Sequence, residues 1–403
     1  MSKTKRIDSL DSIRGIASII VMIYHCVLCF SIFYNNNVEP SANIFLKILN
    51  YTPFHLAIAG TESVLLFFVL SGFVLSLPFL NRKLYSYKSY ALQRFCRIYI
   101  PYIFVMALSS TLMIFLADYN PITELTNAFN HRWEHPLTIE AVISYIFMLG
   151  YDVNNVNGAT WSLVHEMRIS LIFPLLMLIV VRLSWIKSLL LGLGFTTFLW
   201  VLAKAIAQKV FISEPVNYLL NSIGDTFFYS TFFVMGAVLA KCSPQVSKII
   251  KKLKLSHKII LLFLSFLLIN KTLLNLIPFG QDGLFSILGS LIIQWTVAIG
   301  IIILFSLVLN SVRIEAFLTK SSLLWVGKIS YSVYLIHPVI IILCGKFLSK
   351  FMPLPIAIFL VPIITLPVAS LMYKYIEVAS IKLGKRFTNK KGIKTEQPEI
   401  KVG

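Results

Sequence analysis

The sequence predicts an all-α fold, a polytopic transmembrane bundle of about ten spanning helices. Of its 403 residues, 57% are hydrophobic and only 13% are charged, and the mean hydropathy is +0.81. A soluble domain carries nearer a quarter charged residues. The apolar residues also fall in runs long enough to cross a bilayer, separated by short polar stretches. These observations exclude an ordinary water-soluble enzyme and a disordered chain.

Each predicted span is a mostly apolar run close to the roughly 20 residues that a membrane-crossing helix needs. The runs are Ile13–Phe33, Val64–Leu80, Ile98–Ala117, Leu163–Val181, Ser188–Ala207, Thr226–Ala240, Ile259–Ile277, Leu284–Leu309, Ile329–Phe347 and Leu354–Tyr373. A further run, Leu137–Gly150, is too short to cross comfortably, so we expect an interfacial or re-entrant helix there. We expect residues 1–384 to form one membrane-embedded domain and residues 385–403 a basic, disordered cytoplasmic tail.

The distribution of basic residues predicts the orientation of the bundle. The formal net charge is +19, and cytoplasmic loops of membrane proteins are enriched in Lys and Arg. We therefore place both termini and a basic loop at Lys241–Lys258 in the cytoplasm, with Arg132 as an exception on the opposite side. Outside that loop, the orienting residues are Lys3, Lys5, Arg6, Arg82, Lys83, Lys88, Arg94, Arg97, Lys382, Lys385, Arg386, Lys390, Lys391 and Lys394. The excess charge does not indicate nucleic acid, since no basic stretch belongs to a nucleic-acid-binding motif.

The first predicted span carries an arginine and a histidine. Eleven residues separate Arg14 from His25, which is about three helical turns and roughly 16 Å of rise, so both side chains project from one face. We expect them to share one water-filled crevice, with Arg14 near the cytoplasmic boundary, His25 near mid-bilayer, and Asp8 and Asp11 as candidate partners of Arg14. Imidazole exchanges protons near neutral pH, which makes His25 a candidate catalytic residue. Snorkelling of Arg14 and a helix-packing role for His25 are the structural alternatives.

A second polar group begins the fourth predicted span. Trp161, Ser162, Glu166 and Arg168 follow one another there, and we expect Glu166 about one turn below the outer surface. Helix capping explains Ser162 but not Trp161, Glu166 and Arg168 together. We therefore take Glu166 as a candidate catalytic residue and Trp161 as a candidate substrate-binding residue.

Three further polar residues within spans, Glu62, Tyr334 and His337, are candidate substrate-binding residues, because ionisable groups are costly in lipid. Tyr331 and Tyr334 precede His337 by six and three residues, which places the three side chains on one helical face. A satisfied packing network is the alternative. The dipeptide at residues 71–72, Ser-Gly, is expected to mark a close helix contact and not a nucleophile.

The cysteines predict no resident metal. Cys26 and Cys29 lie beside His25, but no second Cys or His pair with zinc-like spacing accompanies them. The five cysteines lie in or beside apolar runs, so no secreted disulfide framework is implied.

Six short segments follow one another in a recognisable order. They are Leu10–Ala17 with the Arg14-to-His25 spacing, Phe67–Leu75, Arg94–Tyr102, Trp161–Glu166, Ser330–His337 and Tyr375–Glu377. Together they resemble the motifs of the acyltransferase 3 family of integral membrane acyltransferases, over most of the chain. The sequence departs from the family at Leu65, where many members carry an acidic residue, and at Val378, where a proline is usual.

The resemblance implies transfer of an acyl group, most often acetyl, from cytoplasmic acyl-CoA to a hydroxyl of a cell-envelope glycan or a lipid-linked sugar. It implies that Arg14, Arg94 and Arg97 bind the phosphates of coenzyme A. His25 would act as general base or would itself accept the acyl group as an acyl-imidazole. Acyl-CoA would be a substrate, with no permanently bound cofactor.

Within the same resemblance, Glu166 and Trp161 would orient the sugar at the outer side, and His337 and Tyr334 would complete the polar cavity. The protein would lie among the lipids of a bacterial plasma membrane. It would be a stand-alone form without the extracytoplasmic hydrolase domain that some members carry, so a two-step transfer would need a separate partner.

A membrane transporter or flippase of a small or lipid-linked substrate fits the composition equally well. Transporters more often show Gly- or Pro-broken helices in paired halves, a pattern that we do not find here. A sensor without catalysis is a further alternative, against which the presence of His25 and Glu166 argues.

Overall fold

The computed structural model describes residues 8–33, 44, 47–48, 52–81, 86–209, 214–271 and 283–389. Within these ranges the regular structure is helical and contains no β-strand, so the predicted all-α fold is confirmed. Some residues used to predict the orientation lie outside the described residues, namely Lys3, Lys5, Arg6, Arg82, Lys83, Lys390, Lys391 and Lys394.

The principal helices are named here in chain order. They are α1 (Asp8–Val27), α2 (Gly60–Leu80), α3 (Tyr87–Leu116), α4 (Ile139–Phe147), α5 (Trp161–Arg182), α6 (Trp185–Lys209), α7 (Glu214–Lys252), α8 (Leu255–Ile269), α9 (Gly283–Val308), α10 (Ser321–Lys346), α11 (Val361–Met372) and α12 (Val378–Asn389). Shorter helical segments occur at Pro53–Ile58, Asn127–Asn130, Val153–Asn157, Val312–Leu318, Leu348–Lys350 and Leu354–Phe359, with a π-helical turn at Tyr373–Glu377.

The long apolar helices confirm a polytopic bundle. Within the described part of the chain, nine helices are long and apolar enough to cross a membrane, and they coincide with nine of the ten predicted spans. The remaining predicted span, Ile259–Ile277, corresponds to α8, which has 15 residues. Residues 272–277 of that predicted span lie outside the described residues.

Helix α4 occupies the run that was predicted to be too short to cross. Its nine residues extend only about 14 Å, roughly half of the hydrocarbon thickness. The chain turns after it at Met148, where φ is 52°. Arg168 holds this turn, because its Nη2 donates to the carbonyls of Met148 at 3.2 Å and Leu149 at 2.8 Å, while its Nη1 donates to Ser222 Oγ at 2.8 Å. Arg168 is therefore a structural clamp that joins α4, α5 and α7.

The basic segment Lys241–Lys258 is mostly helical, and the prediction of a loop there is wrong. Helix α7 continues to Lys252 and α8 begins at Leu255. Lysine is a good helix former, and its long stem lets the ammonium group reach polar surroundings from an apolar helix. Lys241 Nζ donates to the Val180 carbonyl at 2.7 Å, at the C-terminal end of α5, where a cation is favourable.

Two close helix crossings hold the centre of the bundle together. Gly15 and Gly327 meet where α1 crosses α10, and Gly72 and Gly236 meet where α2 crosses α7. A Cβ atom added at any of these four positions would overlap the backbone of the facing helix. Small residues allow helices to approach this closely in a membrane, so the predicted close contact on α2 is confirmed.

The C-terminal predicted span is divided into several helical pieces. Leu354–Phe359, α11 and the π-helical turn follow one another, with Pro367 inside α11. Helix α12 continues to Asn389, so residues 385–389 of the predicted disordered tail are helical. Residues 390–403 lie outside the described residues.

Candidate active site

Two cavities lie between the helices, one after the other along the bundle. The first, here named the arginine cavity, has a volume of about 660 Å³ and is lined by Arg14. The second, here named the histidine cavity, has a volume of about 580 Å³ and is lined by His25. Their linings have Val64 and Tyr334 in common.

Arg14 and His25 do not share one crevice, contrary to the expectation from their spacing. Both side chains project from α1 toward a cavity, but each lines a different one. Close to Arg14, α1 is packed tightly against α10 at the Gly15–Gly327 crossing. Val64 and Tyr334, which line both cavities, lie at the boundary between them.

Basic side chains from four helices line the arginine cavity. They are Arg14, Arg94, Arg97, Lys328 and Lys385. Arg14 Nη1 lies 3.0 Å from Asp11 Oδ1, which confirms the predicted pairing. Guanidinium groups form paired hydrogen bonds with phosphate and carboxylate oxygens. The three arginines predicted to bind the same ligand are thus brought together in a cavity suited to a polyanion.

Glu166 lies on the arginine cavity and not beside His25. Ser71 Oγ donates to Glu166 Oε1 at 3.3 Å, and both residues line this cavity. Trp161, five residues earlier on α5, lines the histidine cavity. Five residues correspond to about 7.5 Å of rise and a rotation of about 140° around the helix, so the two side chains project in different directions. Glu166 and Trp161, which we expected to orient the sugar together, therefore line different cavities.

A third carboxylate on the arginine cavity, besides Asp11 and Glu166, was not singled out as a site residue from the sequence. Glu377 is 4% exposed and accepts a hydrogen bond from Ser332 Oγ at 2.8 Å. The signal that could have found it is an ionisable side chain at the end of an apolar run.

His25 and His337 form a hydrogen-bonded pair. His25 Nδ1 lies 2.8 Å from His337 Nε2, and the two rings are stacked with centroids 5.1 Å apart. His337 Nδ1 lies 3.0 Å from the Val333 carbonyl oxygen, which can only accept, so this nitrogen carries the hydrogen. His337 Nε2 is then the acceptor, and His25 Nδ1 donates to it. The pair therefore leaves the lone pair of His25 Nε2 for the cavity that His25 lines.

Tyr334 and its neighbours hold the start of α5 against α10. The Tyr334 hydroxyl donates to the Ala159 carbonyl at 3.1 Å and lies 2.7 Å from Ser162 Oγ. Asn157 Nδ2 donates to the Leu335 carbonyl at 2.8 Å. These contacts place the first turn of α5 at the boundary between the two cavities.

Aromatic and polar side chains line the rest of the histidine cavity. The aromatic residues are Tyr24, Trp161, Tyr229 and Tyr334, and the polar ones are Thr61, Glu62, Lys271, Ser290 and Gln294. Glu62 is 4% exposed, is ion-paired with Lys271 and accepts a hydrogen bond from Thr61 Oγ1 at 2.9 Å. Glu62 therefore lies in the same cavity as His25. Lys271 was not singled out from the sequence, although it lies inside the predicted span Ile259–Ile277, where an ionisable residue is a signal of function.

Arg132, taken from the sequence as an exception to the charge bias, is buried close to the histidine pair. It is 6% exposed, its guanidinium contacts Cys29, and its charge acts on both His25 and His337. Burial lowers the pKa of Arg132. Among the described residues no carboxylate lies within ion-pair distance of it, and Nη1 has no hydrogen-bond partner. Sequence reasoning missed its burial because the residue lies in a loop.

A model of a known protein family matches this chain over nearly its whole length. The model of the acyltransferase domain, acyltransferase 3, matches residues 7–374 of the 403. The match runs from α1 to the end of α11 and includes every lining residue of the histidine cavity. No curated protein and no solved structure matches the chain. The chain therefore belongs to the acyltransferase 3 family and is a multi-pass membrane enzyme that transfers acyl groups other than amino-acyl groups.

Proposed function

We propose that this membrane acyltransferase moves an acyl group, most simply acetyl, from cytoplasmic acyl-CoA to a hydroxyl of a cell-envelope glycan or a lipid-linked sugar. The observation that carries the proposal is the hydrogen-bonded pair of His25 and His337 at 2.8 Å. It presents one basic nitrogen to a cavity that adjoins the arginine cavity.

The arginine cavity suits the coenzyme A part of the donor. Coenzyme A carries its phosphates at one end and its thiol at the end of a narrow pantetheine arm. Arg14, Arg94 and Arg97 supply the guanidinium groups that phosphates favour. Arg14 and His25 are separated along α1 by roughly 16 Å, a distance that an extended pantetheine arm spans. The thioester of a donor bound in this way reaches the level of His25.

The histidine pair suits proton transfer from an acceptor hydroxyl. His25 Nε2 removes the hydroxyl proton while the oxygen attacks the thioester carbonyl carbon. The carbon–sulfur bond then breaks, and the proton passes from His25 to the departing sulfur, giving an ester and free coenzyme A. His337 keeps His25 in the tautomer that this step requires.

The same lone pair is also suited to a covalent route. In that route His25 Nε2 attacks the thioester, coenzyme A leaves, and the acyl-imidazole is then attacked by the acceptor hydroxyl. The two routes differ in one observable. The covalent route gives labelled protein when acyl-CoA is supplied without an acceptor.

The histidine cavity suits a sugar as the acceptor. Trp161 and Tyr229 offer aromatic faces, which pack against the apolar face of a pyranose ring, and Glu62 and Gln294 offer hydrogen-bonding groups. A carbohydrate needs both kinds of contact, because its hydroxyl groups are polar and one face of its ring is apolar.

The basic residues of the arginine cavity support an orientation with this cavity on the cytoplasmic side. Arg94, Arg97 and Lys385 all lie at the end of the bundle where α1 begins, and cytoplasmic ends are enriched in such residues. In this orientation the donor enters from the cytoplasm and the acceptor hydroxyl is acylated from the opposite side.

The test uses the purified protein in nanodiscs with acetyl-labelled acetyl-CoA and an envelope extract. We expect label in a glycan or glycolipid fraction. Mild base should release this label, because it hydrolyses the ester bond. Empty nanodiscs and labelled acetyl phosphate as donor are the controls, and neither is expected to give product. The proposal would be contradicted if the label were released only as free acetate or if it resisted mild base. Transfer from acetyl phosphate but not from acetyl-CoA would also contradict it.

A further inference from the structure

The boundary between the two cavities is formed by residues from two helices. Val64 of α2 and Tyr334 of α10 line both cavities. On the arginine side, Phe67 follows Val64 by about one turn of α2, and on the histidine side, His337 follows Tyr334 by about one turn of α10. In the proposed function, a donor that extends from Arg14 to His25 passes between these side chains.

The side chains at this boundary are held in place. Tyr334 is 5% exposed and Val64 is 7% exposed. The Tyr334 hydroxyl is held by Ala159 and Ser162, and its ring lies edge-on to Phe67 with centroids 5.6 Å apart. Valine branches at Cβ and has few rotamers in a helix. Neither side chain therefore moves aside easily, and the width of the passage is a fixed property of the fold.

The acyl group is the part of the donor that meets this boundary first, an argument that rests on the proposed function. With the phosphates of coenzyme A at Arg14, the thioester reaches His25 only if the acyl group has passed Val64 and Tyr334. A straight acyl chain has the same cross-section whatever its length. A branch at the carbon beside the carbonyl makes the group wider by one methyl.

We infer that Val64 and Tyr334 select the acyl donor by its width, admitting straight acyl groups and excluding those branched beside the carbonyl. The cavity on the far side has a volume of about 580 Å³, so space beyond the boundary does not exclude a short branched group. One methyl group too many in a fixed apolar passage lowers use of a substrate by about 10- to 200-fold.

The test compares propionyl-CoA, butyryl-CoA and isobutyryl-CoA as donors for the wild-type protein and for Val64→Ala. Butyryl and isobutyryl have the same number of carbons, so their ratio reports width and not size. We expect wild-type protein to use butyryl-CoA at least about tenfold better than isobutyryl-CoA, and Val64→Ala to reduce that preference several-fold. Val64→Ile narrows the passage and is expected to increase the preference for butyryl-CoA over isobutyryl-CoA beyond that of the wild-type protein.

Val69→Ala is the matched control. Val69 is a fully buried valine on the same helix, and the linings of the two cavities do not include it. An unchanged butyryl-to-isobutyryl ratio in Val64→Ala, or an equal change in Val69→Ala, overturns the width filter while acetyl transfer still supports the proposed function. Absence of transfer from every acyl-CoA in folded wild-type protein overturns the proposed function itself. Val64→Ile gives an independent measurement if Val64→Ala does not fold.

Discussion

The arginine cavity and the histidine cavity are built largely by the same helices, yet their side chains differ in charge. Asp11, Glu166 and Glu377 line the arginine cavity together with its five basic residues. The histidine cavity is lined by His25, whose imidazole donates a hydrogen bond to the buried His337. Holding a polyanion requires fixed positive charge, whereas proton transfer requires a group that gains and loses its charge. The fold keeps these two requirements apart.

The separation follows from how the helices run. Each of α1, α2, α5 and α10 passes both cavities, so a helix contributes to one at one level and to the other a few turns further on. On α5, Trp161 and Glu166 are five residues apart and serve different cavities. The cavity that a residue lines depends on its level along the helix and on the face from which it projects, since the adjacent residues Trp161 and Ser162 line different cavities. Substitutions in the two cavities should therefore have different kinetic signatures.

The largest effect is expected from His25→Ala, which removes the basic nitrogen from the histidine cavity. We expect acyl transfer to fall by on the order of a thousandfold, because a positioned general base contributes about 10²- to 10⁴-fold. The measurement is transfer of labelled acetyl by purified protein, with donor binding measured in parallel. His131→Ala is the matched control, since His131 is exposed and pairs with Glu134. Full activity in a folded His25→Ala protein would remove this residue from the chemistry.

A smaller loss is expected from substitution of His337, which in the proposed function acts through His25. His337→Phe removes the acceptor for His25 Nδ1, and we expect transfer to fall about 100-fold. His337→Gln keeps a hydrogen-bond acceptor and should restore part of the activity. The pH profile of kcat should change in His337→Phe more than in His337→Gln. Equal losses and identical profiles in both variants would show that His337 only fills space.

Arg14→Lys probes the arginine cavity alone. It keeps the positive charge and removes the paired hydrogen-bonding geometry of the guanidinium group, so we expect KM for acetyl-CoA to rise about tenfold with KM for the acceptor unchanged. Arg182→Lys, at the exposed end of α5, is the control. Equal increases in both KM values would contradict a donor-specific role.

The smallest effect is expected from Trp161→Phe in the histidine cavity. The substitution keeps an aromatic face but reduces its area and removes the indole N–H, so KM for the acceptor should rise only about threefold. KM for acetyl-CoA should stay the same, the reverse of the pattern in Arg14→Lys. An increase in the donor KM instead would show that the two cavities do not divide the substrates as proposed.

The sequence predicted the fold class and most of the long helices, and most of the site residues that it singled out line one of the two cavities. Arg14, Arg94 and Arg97 meet in one cavity, and His25, Glu62 and Trp161 in the other. The prediction of a loop at Lys241–Lys258 is wrong because the basic residues indicate where the chain leaves the membrane, and a helix does not have to end at that point. Helices commonly continue beyond the hydrocarbon region when their residues favour helix.

The sequence by itself determined that this protein is a bundle of membrane-spanning helices, with ionisable side chains within the spans where contact with lipid would be unfavourable. It could do so because hydropathy and helical spacing are local properties of the chain. The tertiary structure alone decided that His25 meets His337, 312 residues away, and that Glu166 and Trp161 face different cavities. Which residues become neighbours depends on how the helices pack. Packing is set by close contacts such as those at Gly15 and Gly236, between residues far apart in the chain.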